Sequence, residues 1–95
     1  MFPGQQLLHI LDNLRTSLKT DEDSIPLRAL KYRLDNSGVQ RTNGLLASLG
    51  NDCSYFRKSL DIFLKKDFDD IFRILKAIPS KNEDIESAIK IMESI

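Results

Sequence analysis

The chain has 95 residues, 41% hydrophobic and 29% charged, with 14 basic and 14 acidic side chains and no net charge. That length makes a single domain over residues 1–95 with a real but thin core. The mix excludes a disordered chain, no run of about 18 apolar residues is present to span a membrane, and the absent basic excess argues against a dedicated nucleic-acid binder.

The opening Met-Phe-Pro-Gly-Gln-Gln lacks the basic and long apolar regions of a secretory leader, so a cytoplasmic location is expected. Pro3 suits the first turn of a helix. Leu7, Leu11, Leu14 and Leu18 then recur at spacings of four, three and four, which predicts an amphipathic helix over 3–19. His9, the only histidine, lies off this stripe with no second ligand near it in sequence, and is expected to be solvated.

Thr20 to Ser24 is a polar, acidic connection. Ser24 is placed to cap the next helix, with Pro26 in its first turn. Leu27, Leu30 and Leu34 line one face of a helix predicted over 25–36, and Tyr32 points away from them. Asp35-Asn36-Ser37-Gly38 ends the helix, Gly38 being suited to the left-handed position after it.

The stretch from Leu45 to Leu64 reads as a central helix around which the rest packs. Its apolar residues 45, 46, 49, 53, 56, 60, 63 and 64 fall within a sector roughly 100° wide. Two readings of it conflict. The unbroken phase favours one helix over 41–66, whereas Gly50-Asn51-Asp52 is also a stop-and-cap signal that would split it near 51. In a continuous helix Asp52 would sit at the edge of the apolar sector, a costly place for an unpaired carboxylate. Cys53, the single cysteine, falls in the same sector and reads as a small buried thiol.

Lys65 and Lys66 suit a helix C-terminus; Asp67, Asp69 and Asp70 suit an N-terminus. The segment therefore reads as an αα-hairpin with a tight turn, leading into a helix over 67–78 whose stripe is Phe68, Ile71, Phe72, Leu75 and Ile78. Pro79 stops it. Ser80-Lys81-Asn82-Glu83 has the form of a capping box with Ser80 at the cap, opening a last helix over 81–94 lined by Ile85, Ala88, Ile89 and Met92. No segment alternates in the manner of a strand. The expected fold is an all-α helical bundle of four to five antiparallel helices around a long central helix.

With one histidine, one cysteine and four scattered glycines, no catalytic, metal-binding or cofactor-binding constellation is apparent, and the expectation is a non-enzyme with no cofactor. The charge is uneven. Residues 28 to 58 carry an excess of four basic groups, and 21 to 23 are Asp-Glu-Asp. Such a dipolar pattern orients protein partners. On the central helix, Tyr55 and Ile62 form a second apolar strip roughly 80–100° from Leu45; it reads first as a helix touched by neighbours on several sides, and alternatively as an exposed strip flanked by Arg33, Arg41 and Arg57. Tyr and Arg are common interface anchors. The candidate partner-binding residues are thus Tyr32, Arg33, Arg41, Asp52, Tyr55, Arg57 and Ile62, serving a protein partner or a second copy in a homodimer.

Size and class then suggest a protein-binding protein of the toxin-neutralising kind, an immunity protein or antitoxin, or an inhibitor. A secretion chaperone or dimeric adaptor is an alternative of the same type. A different alternative is DNA binding. Residues 30–49 (LKYRLDNSGVQRTNGLLASL) resemble a helix-turn-helix, with Ser37-Gly38-Val39 as the turn and Gln40, Arg41, Thr42 and Asn43 opening the second helix. The resemblance implies nucleic-acid contact through 37–49. The sequence departs from that pattern at Gly44, where a buried apolar residue is expected, and at Leu45 and Leu46, shifted by one.

Overall fold

The leucine stripes at 7–18 and 27–34 and the isoleucine-rich stripes at 71–78 and 85–92 each give a helix one apolar side, and those sides must be buried against one another. A computed structural model describes residues 3–37 and 61–95. It contains α1 (Pro3–Ser17), α2 (Ile25–Asp35), α3 (Phe68–Ala77) and α4 (Glu83–Ser94), with a further helical run over 61–66 before α3. The described residues contain no strand. The fold is an all-α helical bundle. α1 packs on α2 and α4, and α3 packs on the same two, so the four helices close into a ring around a single core.

That core is Leu7, Leu8, Leu11 and Leu14 of α1, Leu30 and Leu34 of α2, Phe63, Ile71 and Leu75 with Ile78, and Ile85, Ala88 and Met92 of α4. Leu18, Leu27, Phe68 and Ile89, expected at the centre, are only partly covered and pack at its margin. Leu8 is fully buried although it stands beside the main leucine stripe, because α1 meets helices on two sides. The central helix predicted over 41–66 and its alternative break near 51 lie outside the described residues except for the 61–66 run, which is helical and delivers Phe63 to the core.

The helix ends follow the local chemistry with two differences. At α2, Ser24 occupies the cap position with extended backbone and Pro26 follows in the first turn, yet the Ser24 side chain makes no capping hydrogen bond. At α4 the cap is not Ser80. Asn82 is the cap residue, its Oδ1 accepting from the Ile85 N–H at 2.8 Å, and the helix starts at Glu83. The shift follows from Pro79, which holds Ile78 extended, so that Ser80 and Lys81 belong to the connection. Asn82→Ala is expected to cost about 1 kcal/mol, and Ser80→Ala close to nothing, by urea denaturation.

The joint between 61–66 and α3 also differs from the expected hairpin. Only Asp67 separates the two runs. Its N–H donates to the Phe63 carbonyl at 2.9 Å and its own carbonyl accepts from Ile71 N–H at 3.0 Å. These are the bonds of a residue that closes one helix and caps the next, so the connection is Asp67 alone, shorter than the two to five residues that a helical hairpin uses.

Candidate functional site

The four sides of α2 have different roles. Leu30 and Leu34 face the core. One flank turns to α1: Lys31 Nζ donates to the Arg15 carbonyl at 2.6 Å and lies 3.2 Å from Asp35, itself 3.8 Å from Arg15. The lysine thereby satisfies a carbonyl in the last turn of α1, where a cation also complements the helix dipole. Arg15 closes the group through Asp12 at 3.0 Å.

The opposite flank turns to α3. Arg33 Nη2 donates to Asp70 Oδ2 at 2.7 Å and to Asp67 Oδ1 at 3.5 Å, while Arg73 approaches the other Asp70 oxygen at 3.8 Å. The Arg33 Nε is enclosed and makes no hydrogen bond. Asp67 is mostly covered, its side chain 17% exposed. Burial pushes its carboxyl above the ordinary aspartate value; Arg33 opposes the shift, Asp70 adds to it and Lys66 opposes it. Arg33 is therefore engaged within the fold, bridging α2 to α3.

The outward side of α2 is uncovered. Ile25 is 72% and Tyr32 68% exposed, and Arg28 between them is exposed too. Seven residues apart on a helix, Ile25 and Tyr32 share a face within about 20° and stand roughly 10 Å apart along it. Ile62, on the 61–66 run, is 53% exposed. Of the sequence-predicted partner-binding residues, Tyr32 and Ile62 are thus presented at the surface and Arg33 is held in a partly buried ion-pair cluster between α2 and α3. Arg41, Asp52, Tyr55 and Arg57 lie outside the described residues, as do 38–49 of the helix-turn-helix resemblance.

Sequence reasoning did not single out Ile25. Its position seven before Tyr32 was the available signal. Lys31, Asp35, Asp67 and Asp70 were not singled out as ion-pair partners; the Lys31/Asp35 spacing of four and the Asp12/Arg15 and Asp70/Arg73 spacings of three foreshadowed the pairs within a helix, and nothing foreshadowed those of Arg33. His9 is exposed, as expected. Among the described residues no helix is long and apolar enough to cross a membrane, and no three His, Cys, Asp or Glu side chains gather as a metal site would require.

The fold and surface together define a small all-α bundle with an exposed aromatic and aliphatic face on one helix. Comparison with protein-family models, with curated proteins and with solved structures found no match.

Proposed function

We propose that the protein acts without chemistry of its own, by direct binding to another protein, and that within this class it is a toxin-neutralising protein of the immunity or antitoxin kind working in the cytoplasm. The observation that supports binding is the outward face of α2. A tyrosine and an isoleucine stand there largely in water, with an arginine between them, although the chain has a core in which such side chains would be sheltered. Tyrosine and arginine are over-represented among residues that dominate binding energy. The toxin-neutralising reading draws on the small size and the uneven charge, which suit electrostatic steering toward a charged partner. The argument is carried by the surface; a helical bundle by itself specifies no function.

The test is affinity capture from the native host with the parent chain and with Tyr32→Ala and Ile25→Ser. Both substitutions are on an exposed face, so the far-ultraviolet helix signal is expected to stay unchanged. Binding to the purified captured protein is expected to weaken by about tenfold or more, the effect of losing an interface anchor worth at least ~1.4 kcal/mol. Equal binding by parent and variants would remove the α2 face from consideration. Co-expression that fails to relieve any growth defect caused by the partner would reject the toxin-neutralising reading. Light scattering on the parent alone reports whether the partner is a second copy.

A further inference from the structure

Laid out as one straight helix, residues 61–78 place Phe63, Leu64, Phe68, Ile71, Leu75 and Ile78 in a single sector roughly 140° wide, with Asp67 inside it. The apolar pattern thus fits an unbroken helix with one misplaced carboxylate. The structure differs at that residue. Asp67 has φ −114 and ψ −17, about 50° from helical φ; it ends the 61–66 run and caps α3, and its two backbone bonds are those of a helix end and a helix start. The two runs therefore meet at Asp67 as separate helices, and the backbone of that one residue sets the direction in which the second leaves the first.

Arg33 reaches across from α2 to this residue and to Asp70 one turn on. The cluster is poorly satisfied. The nearer contact goes to Asp70, Asp67 is left at 3.5 Å, and the Arg33 Nε has no partner. Arg33 and Asp70 are a third and nearly half exposed, but Asp67 is covered; a covered carboxylate held by an incomplete contact costs stability, and the attested use of such a group is to select one geometry among several.

We propose that the Arg33–Asp67–Asp70 cluster is a conformational device: it fixes the angle between the 61–66 run and α3, at a cost in stability. Arg33 holds the Asp67 side chain toward α2, and the backbone of Asp67 departs from helical φ to follow it. That burial outweighs Arg33 in setting the proton affinity of Asp67 agrees with a carboxylate retained for position.

The decisive variant is the double substitution Arg33→Met with Asp67→Leu, which replaces the charges by apolar side chains of similar length. Two readouts are taken on the full chain: the urea midpoint, and residual dipolar couplings of the backbone amides of 61–66 and α3, which report the angle between the two runs. The expected result is a midpoint equal to or above the parent's together with couplings that no longer fit the parent angle. Asp67→Asn, which removes only the charge, is expected to shift the couplings in the same direction. An unchanged angle in either variant overturns the proposal. So does a lowered midpoint in the double variant, unfolding included, since that would make the cluster a plain stabilising contact.

Discussion

Leu14→Ala is expected to destabilise the protein by about 2–5 kcal/mol, while Leu18→Ala, one turn further along the same stripe, should cost about half as much or less. The two leucines have the same spacing in the sequence, and nothing local separates them. In the structure Leu14 is wholly buried where α1 meets its neighbours, whereas Leu18 lies just past the end of α1 and packs only at the margin of the core. Truncating Leu14 removes buried methyl groups and leaves a cavity that surrounding side chains only partly fill. Truncating Leu18 leaves a dent open to water. A domain of this size has a total stability of about 5–10 kcal/mol. Leu14→Ala should therefore lower the thermal midpoint by about 8–40 °C. Thermal and urea unfolding of both variants checks the difference; equal losses would mean that the end of α1 is as deeply packed as its middle.

Arg33→Ala is the second large effect, expected to cost about 1–2 kcal/mol at neutral pH. The direct ion pair is discounted, because Asp70 is nearly half exposed and a partly solvated pair contributes no more than about 1 kcal/mol. The remainder comes from Asp67, whose covered carboxylate loses its main counter-charge, and from the lost packing of the arginine stem.

The same geometry fixes the sign of a pH dependence. Asp67 binds its proton more tightly folded than unfolded, so its contribution to stability is full below the ordinary aspartate value and is lost as pH rises through the raised folded value. Measured against Asp67→Asn, the parent should become relatively less stable as pH rises across that interval. Losing Arg33 raises the Asp67 carboxyl further, so the cost of Arg33→Ala should shrink as pH falls from above toward the parent's folded value, where a protonated Asp67 no longer needs the guanidinium. Urea midpoints from acid to neutral pH, taken for parent, Arg33→Ala and Asp67→Asn, read both trends. A parent that gains on Asp67→Asn with rising pH would show that the arginine dominates the carboxylate after all.

Much of the architecture is legible from period and punctuation. Stripes at helical spacing place α1, α2, α3 and α4 within one or two residues of their observed ends, and Pro26 and Pro79 mark boundaries for steric reasons that do not depend on the rest of the fold. Cap assignment was less legible. Ser80 and Asn82 both have the right chemistry, and the choice falls to Asn82 because the backbone leaving Pro79 needs two more residues before it turns helical. The charges at 65–70 do mark a helix end and a helix start: the 61–66 run ends at Lys66, and α3 opens with Asp67 as its cap and Asp69 and Asp70 in its first turn. The joint is one residue long, too short for the expected hairpin loop.

The candidate site divides in the same way. The outward position of Tyr32 follows from its angle to Leu30 and Leu34, and angle is a property of the sequence alone once the helix is granted. The fate of Arg33 does not follow. As an exposed arginine beside an exposed tyrosine it reads as an interface anchor; its engagement by Asp67 and Asp70, more than thirty positions away, arises only when α2 packs on α3. The sequence by itself determined the all-α class, the helices and which side of each is apolar, because those depend on interactions within three or four residues. Which leucines are deepest, which serine or asparagine caps and which charges meet were decided by the tertiary structure, because burial and ion pairing depend on neighbours brought together by packing.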